Sequence, residues 1–233
     1  MNYAIVLSGG KGTRMGAKVP KQYLEILGQP VIYYSLKAMQ ESPLIDRIIV
    51  VVSREYEDYI KELMNKNDIT KAYAIAYAGK ERYDSVYSGL KKIPTEDITD
   101  TNICLIHDGA RPMLDNEIIE SCVESCKKYK ASIAAVAVKD TIKVSDDKGF
   151  AIETPDRSKL YQVQTPQSFT IKLVYDSYTQ MYKEGKTEGV TDDAMVVSAF
   201  GKVEPYLTKS SYKNIKVTTP EDLKIAECFL RRK

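Results

Sequence analysis

The strongest constraint on this chain is an alternation of short apolar runs with longer amphipathic segments. Five runs are rich in Val, Ile and other apolar residues and carry little alternating polarity: Tyr3–Leu7, Arg47–Val52, Ala72–Tyr77, Asn102–Ile106 and Ser132–Val138. Such runs are typical of strands covered on both faces. Between them lie helical patterns, as in Ile32, Leu36 and Met39, in Tyr56–Met64, and from Ile118 to Cys126. This order predicts an α/β fold with a doubly wound, mostly parallel, Rossmann-like sheet.

The alternation is interrupted by a polar stretch over residues 139–163. Within it, Asp146-Asp147-Lys148-Gly149 indicates a turn between two short strands, Thr141–Val144 and Phe150–Glu153. Such a hairpin has too little apolar surface to be stable alone, so it packs either on the body or on a second subunit. We therefore expect one domain over residues 1–233, with this stretch as a protruding β-arm.

Composition excludes several classes of partner. Lys and Arg total 34 against 32 acidic residues, a net charge of +2, which lacks the basic excess typical of proteins that bind nucleic acids or membrane surfaces. No apolar run approaches the roughly 18–20 residues of a membrane span, and the start of the chain does not resemble a signal peptide. Cys122 and Cys126 lie four residues apart on an apolar helical stripe, which favours core packing over a metal pair. We expect a reduced, cytoplasmic protein.

A glycine-rich segment, Ser8-Gly9-Gly10-Lys11-Gly12-Thr13-Arg14-Met15-Gly16, follows the first predicted strand directly. Closely spaced glycines let backbone amides converge on an anion at the edge where α/β sheets bind nucleotides. The segment matches neither a Walker loop nor a dinucleotide fingerprint. Two cations, Arg14 and Lys21, distinguish it. The pattern favours a triphosphate held by both cations and by the loop residues Ser8, Gly9, Gly10 and Gly12. The alternative is a plain glycine turn with two solvated charges.

A second polar motif, His107-Asp108-Gly109-Ala110-Arg111-Pro112, follows the predicted strand that ends at Ile106. Asp108 offers the hard oxygen ligand that Mg²⁺ prefers, and Arg111 can meet a second phosphate. The chain has a single histidine, His107, which we interpret as a structural residue beneath the site. Without it, no serine–histidine–acid or cysteine–histidine set can be assembled, which argues against covalent hydrolase chemistry.

A third candidate segment lies near the end of the chain. Asn214–Thr219 is predicted to form a short strand before a helix that Thr219 caps and Pro220 begins. Asn214 can supply an oxygen to Mg²⁺, and Lys216 can neutralise a phosphoryl transition state. The alternative is a solvated lysine, since lysines in strands are most often simply exposed.

These motifs together resemble the 2-C-methyl-D-erythritol 4-phosphate cytidylyltransferase family. The resemblance is carried by Ser8–Gly16, Pro20–Leu24, Gly79 with Arg82 and Ser85, His107–Pro112, Val138–Lys143, Thr154–Arg157, Gln164–Gln167, Thr191–Ala194 and Asn214–Leu223. It implies a Mg²⁺-dependent transfer of CMP from CTP to a small polyol phosphate. It also implies a homodimer that forms through the β-arm.

The resemblance also implies a role for individual residues. Arg14, Lys21 and Lys216 are expected at the phosphates and the reacting centre, Gly79 and Ser85 at the cytosine, and Asp108 at Mg²⁺ and the ribose-side phosphates. The acceptor is expected to meet Arg111, Thr165 and Thr191, together with Thr141 and Arg157 from the arm of the neighbouring subunit.

The identity of the acceptor is less constrained by these motifs. The glycine-rich segment is also typical of the related ribitol-5-phosphate cytidylyltransferases, so it does not choose the acceptor by itself. The segment Lys139–Lys143, the pair Asp156-Arg157 and the doubled acid Asp192-Asp193 resemble the methylerythritol branch more closely. Methylerythritol phosphate is therefore the favoured acceptor, with ribitol 5-phosphate or another polyol phosphate as the alternative.

Overall fold

A computed structural model describes residues 1–10 and 19–231 of the chain. In these residues a seven-stranded sheet has the order β11-β7-β10-β6-β1-β4-β5, and β10 alone runs antiparallel to its neighbours. Two small hairpins, β2-β3 and β8-β9, accompany it. The strands are β1 Asn2–Ser8, β2 Glu25–Ile26, β3 Gln29–Pro30, β4 Arg47–Val52, β5 Ala72–Tyr77, β6 Ile103–Asp108, β7 Ala131–Ala137, β8 Val144–Ser145, β9 Ala151–Glu153, β10 Tyr161–Thr170 and β11 Tyr206–Lys209.

Helices cover both faces of the sheet, as predicted. One apolar cluster joins the sheet to helices α1, α2 and α4, and a second joins the opposite face to α3 and α5. The helices are α1 Val31–Glu41, α2 Glu57–Lys66, α3 Arg82–Leu90, α4 Asn116–Tyr129, α5 Ile171–Glu184, α6 Asp193–Val196 and α7 Pro220–Leu230. Because both faces are covered, β1, β4 and β6 are almost entirely buried. The predicted doubly wound α/β fold is confirmed.

The five predicted strands agree with the structure to within two residues at either end. The final helix begins at Pro220, and Thr219 and Asp222 form a reciprocal capping box in which each side chain accepts from the other's backbone amide. Cys122 and Cys126 are buried in the core without a disulfide. In the described part of the chain, no helix combines the length and the apolarity that crossing a bilayer requires.

Two predictions of local structure are wrong. Residues 214–218 lie in a segment outside any strand or helix. In this segment the Val217 amide donates to the Ala110 carbonyl at 2.8 Å, so the chain follows the loop after β6 rather than joining the sheet. The arm hairpin is shorter than predicted, since only Val144–Ser145 pairs with Ala151–Glu153. The turn is where it was expected, because Asp146 accepts from the backbone amides of residues 148 and 150.

Candidate active site

The candidate site is a cleft at the carboxyl ends of the parallel strands. From β1 the chain proceeds to β4 and β5 on one side, then crosses to β6 on the other side of β1. Such a reversal of strand order opens a crevice in which α/β sheets bind ligands. A cleft of about 300 Å³ lies there, lined by Leu7, Ser8, Gly9, Gly10, Lys21, Gln22, Gly79, Lys80, Glu81, Arg82, Ser85, Asp108, Ala110, Lys216 and Thr218.

The segment that carries Lys21 is held against the end of β1 by side-chain hydrogen bonds. Gln22 Nε2 donates to the carbonyl oxygens of Ser8 at 2.7 Å and Gly10 at 3.0 Å, and the Ser8 hydroxyl donates to Tyr23 Oη at 2.8 Å. Ser8, Gln22 and Tyr23 are all buried. These bonds hold the neighbours of Lys21 beside Ser8–Gly10, and Lys21 lines the cleft there. Two further predicted residues, Gly12 and Arg14, lie outside the described residues.

A tight turn on the opposite wall positions the two residues predicted to read cytosine. The Gly79 amide donates to Ser85 Oγ at 3.1 Å, and Ser85 Oγ donates to the Glu81 carbonyl at 3.2 Å. A Cβ at position 79 would lie 2.1 Å from the Cβ of Asp84, so only glycine permits this close approach. A hydroxyl has one donor and two acceptor sites, so the Ser85 hydroxyl retains one acceptor site for a ligand.

Asp108, at the end of β6, lies among three cations. Lys216 Nζ lies 2.8 Å from Oδ2, Arg111 Nε lies 3.9 Å from Oδ2, and Arg82 Nε lies 3.5 Å from Oδ1. Burial by itself raises the pKa of this carboxyl, but the charges of Arg82, Lys216 and Arg111 outweigh burial and hold the pKa well below its usual range. Asp108 is therefore an ionised carboxylate throughout the physiological pH range.

His107, the residue before Asp108 on β6, is fully buried. Its Nδ1 lies 3.0 Å from Thr165 Oγ1, and its Nε2 lies 3.4 Å from the Arg111 carbonyl. The amide of Asp108 donates to the same Thr165 hydroxyl at 3.1 Å. Burial lowers the pKa of His107 to about 4, so the imidazole is neutral near pH 7. This geometry agrees with the structural role predicted for His107, and it places Thr165 in the support beneath the cleft.

Arg111 bonds to Asn214, and Asn214 bonds to β10, outside the lining of the cleft. Arg111 Nη1 donates to the Asn214 carbonyl at 2.7 Å. Asn214 Nδ2 donates to Gln164 Oε1 at 3.1 Å and to the Thr165 carbonyl at 2.9 Å. Neither Arg111 nor Asn214 is among the described residues that line the cleft. The structure therefore does not bring the Asn214 side chain, predicted as a Mg²⁺ ligand, to the cleft beside Asp108.

The described residues contain no cluster of three or more His, Cys, Asp or Glu side chains that could hold a metal ion. This arrangement still suits Mg²⁺, which proteins usually hold through one or two carboxylates while substrate phosphates and water complete the shell. Two carboxylates line the described part of the cleft, Asp108 and Glu81, and the Glu81 side chain caps α3. Asp108, which the cleft residues Lys21 and Lys216 accompany, is therefore the carboxylate that suits a metal ion. The residues present therefore fit a Mg²⁺ ion that arrives with a polyphosphate.

A partly buried ion pair beside Asp108 was not predicted as part of the site. Arg82 donates from Nη1 and Nη2 to the two carboxylate oxygens of Asp193 at 2.9 and 2.8 Å. Tyr178 donates to Asp193 at 2.5 Å, and Asp193 is fully buried. Arg82 and Asp193 occur in the motifs that carry the resemblance, yet they are separated by 111 residues, and nothing local indicates that they meet.

The remaining predicted acceptor residues lie at exposed positions. Thr191 is exposed two residues before Asp193, and its hydroxyl contacts the Met195 sulfur at 3.0 Å. Thr141 and Arg157 are exposed on the arm, where Arg157 Nη1 donates to the Lys139 carbonyl at 2.7 Å. Within one chain, the structure does not place either arm residue among those that line the cleft.

Fold and cleft together define a Rossmann-like α/β protein of the nucleotidyltransferase class. The sequence profile of the 2-C-methyl-D-erythritol 4-phosphate cytidylyltransferases (IspD) matches residues 2–232. The chain therefore belongs to the 2-C-methyl-D-erythritol 4-phosphate cytidylyltransferase family.

Relatives with that name match nearly the whole chain. The protein from Lachnospira eligens is 46% identical over 231 residues, which cover 99% of this chain and 100% of the relative. A protein from Clostridium botulinum (strain Eklund 17B) is 45% identical over 98% of this chain and 99% of its own length. The crystal structure of 4-diphosphocytidyl-2C-methyl-D-erythritol synthase from Anaerococcus prevotii superimposes with a TM-score of 0.84 at 32% identity, covering 99% of this chain and 96% of that chain.

Proposed function

We propose that this protein transfers CMP from CTP to 2-C-methyl-D-erythritol 4-phosphate, giving CDP-methylerythritol and pyrophosphate in isoprenoid precursor biosynthesis. Membership of the family favours this acceptor over ribitol 5-phosphate. The single observation that carries the proposal is the cleft at the strand switch point, in which Lys21 and Lys216 flank the ionised carboxylate of Asp108.

The reaction needs charge neutralisation more than proton transfer. An oxygen of the acceptor phosphate attacks the α-phosphorus of CTP while the bond from that phosphorus to the oxygen bridging the α- and β-phosphates breaks, and pyrophosphate leaves. A monoester phosphate is mostly dianionic at pH 7, because its second pKa is about 6, so no general base is required. The burial of neutral His107 beneath the cleft agrees with this chemistry.

Placed cations can bring the two anions together. We assign this role to Lys21 and Lys216, together with Arg14, because rigidly positioned positive groups stabilise the charge that develops at the transferring phosphoryl group. Gly79 and Ser85, across the cleft, are assigned to the cytosine. Mg²⁺, when bound at Asp108, would neutralise phosphate charge and orient the triphosphate.

Acceptor binding is assigned to the arm of a second subunit and to Thr191. The arm exposes apolar side chains that an isolated chain leaves in water, since Phe150 is 68% and Ile152 is 64% exposed. Burial of these side chains against a partner would stabilise a homodimer and would bring Thr141 and Arg157 toward the partner's cleft. A cytoplasmic location is part of the same proposal, because the free, mostly buried cysteines suit a reducing compartment.

A comparison of acceptors, each assayed separately, tests the proposed function. Pyrophosphate release is measured from CTP and Mg²⁺ with methylerythritol 4-phosphate, with ribitol 5-phosphate, and with no acceptor. We expect release with the first acceptor and little with the other two. Faster release with ribitol 5-phosphate would reassign the substrate, and no release with any acceptor would contradict a transferase.

A further inference from the structure

The ion pair between Arg82 and Asp193 joins two parts of the chain that meet at the cleft. Arg82 is the first residue of α3, at the turn that presents Gly79 and Ser85. Asp193 is the first residue of α6 and is fully buried, while the Arg82 side chain is 27% exposed and lines the cleft. The pair therefore connects a buried anchor to a group that faces the ligand.

Asp193, the buried anchor of this pair, is held by hydrogen bonds with α5 and β10. Tyr178, on α5, donates to Asp193 at 2.5 Å. Gln167, on β10, accepts from the amides of Asp193 and Ala194 at 3.0 Å each, and it donates to Asp192 at 3.0 Å. These bonds fix the start of α6, so the carboxylate of Asp193 has one orientation. The bidentate bond then fixes the plane of the guanidinium.

The same guanidinium reaches the carboxylate proposed to act on the nucleotide. While both terminal nitrogens of Arg82 bond to Asp193, its Nε lies 3.5 Å from Asp108 Oδ1. Lys216 contacts the other oxygen, Oδ2, at 2.8 Å. If Lys216 turns from Asp108 to a phosphate, Arg82 at Oδ1 and Arg111 at Oδ2 keep the carboxylate paired.

We propose that Arg82, anchored by Asp193 and Tyr178, is a positioning residue that fixes the orientation of the Asp108 carboxylate for transfer. This inference rests on the proposed function. Only arginine suits the role, because its planar fork can bond to Asp193 with two nitrogens while a third faces Asp108, whereas lysine offers a single point charge.

The test compares three variants with a matched control. Arg82→Lys keeps the charge but removes the fork, Asp193→Asn removes the anchoring charge, and Tyr178→Phe removes only one hydrogen bond to the anchor. The control is Arg47→Lys at the opposite end of the sheet. There Arg47 lies 3.6 Å from Asp97 and donates to Tyr3, in a similar arginine–aspartate–tyrosine cluster away from the cleft.

Turnover separates a positioning role from a structural one. We expect kcat to fall about 10–100-fold in Arg82→Lys, as when a residue that orients a ligating group is removed, with the KM for CTP changed by less than about threefold. Tyr178→Phe should lower kcat in the same direction by a smaller factor, and it keeps the proposal testable if Asp193→Asn does not fold. Arg47→Lys should leave kcat at the wild-type value. The proposal is overturned if folded Arg82→Lys turns over within about twofold of wild type, or if Arg47→Lys loses as much.

A crystal structure of Arg82→Lys gives a readout that does not depend on turnover. We expect the Asp108 carboxylate to rotate and its 2.8 Å contact with Lys216 to change. An unchanged carboxylate would refute the positioning role even if the wild-type protein proved inactive. Absence of wild-type turnover, by contrast, would refute the proposed function alone.

Discussion

Removal of Lys216 tests whether cations placed at the cleft, rather than the overall charge of the protein, drive the reaction. The Lys216 ammonium lies 2.8 Å from Asp108 at the rim of the cleft, and its side chain is 37% exposed. Two unit charges about 4 Å apart interact by about 4 kcal/mol at the effective dielectric near a protein surface. A phosphoryl oxygen that gains charge in the transition state would experience an attraction of that order.

The expected loss in Lys216→Ala follows from this magnitude. Removal of one preorganised stabiliser typically costs about 2.7–4 kcal/mol in the transition state, which corresponds to a 100–1,000-fold fall in kcat. Folding should be unaffected, because Asp108 keeps its contacts with Arg82 and Arg111. The assay is initial-rate pyrophosphate release with saturating CTP and acceptor, together with thermal unfolding of both proteins.

Lys80 offers a matched control. It is an exposed lysine that also lines the cleft, so Lys80→Ala removes the same unit charge from the same region. We expect its turnover to stay within about threefold of wild type, as for a surface charge that only contributes to the field. Equal losses in the two variants would refute placement as the cause. A folded Lys216→Ala protein with near-wild-type turnover would remove Lys216 from the catalytic residues.

Three further predictions concern the arm and the buried histidine. Arg157→Ala should raise the acceptor KM about 10–100-fold, the cost of a charged hydrogen bond, while calorimetry shows unchanged CTP affinity; a collapse of CTP affinity would contradict the arm assignment. Phe150→Asp combined with Ile152→Asp should yield monomers of low activity in sedimentation and rate assays, and a fully active dimer would exclude this interface. The pKa of His107 is about 4 in the folded protein and 6.5 in the unfolded chain, so between these pH values the unfolded state binds more protons. The free energy of unfolding should therefore fall by about 3 kcal/mol as the pH drops from 6.5 to 4. Urea titrations at several pH values should show this loss of unfolding free energy in wild type and not in His107→Gln. Identical pH profiles for the two proteins would contradict the lowered pKa of His107.

Most of the sheet could be predicted because its central strands are buried on both faces. The runs at Arg47–Val52 and Ala72–Tyr77 coincide with β4 and β5, since continuous apolar sequence has few alternative structures. β10 gives no such signal. It spans Tyr161–Thr170 and contains Gln164-Thr165-Pro166-Gln167, where the pairing with β7 shifts register. Because β10 contains polar side chains and a proline, its sequence does not indicate a central strand. Its hydrogen bonds depend on tertiary neighbours.

The site was predictable where neighbouring residues act together and not where distant ones meet. Ser8–Gly10 lie at the end of β1 and Asp108 ends the neighbouring strand β6, so the fold alone places these residues near one another. The pair of Arg82 and Asp193 depends on tertiary packing that brings the starts of α3 and α6 together, which no local pattern encodes. Asn214 was assigned from its amide oxygen, which has no hydrogen-bond partner among the described residues, while its amide nitrogen bonds to Gln164 and Thr165 on β10.

The same geometry explains how a protein with nearly balanced charge can hold two anions at once. A net charge of +2 creates little long-range attraction, so selectivity for phosphate must be local. At the cleft, Asp193 neutralises Arg82 from the buried side, and Arg82 in turn faces one oxygen of Asp108. Because Arg111 also faces Asp108, at 3.9 Å, the carboxylate keeps a cation when the ammonium group of Lys216 turns to a substrate phosphate. A carboxylate among cations therefore does not weaken the site, since its charge is matched before the nucleotide arrives.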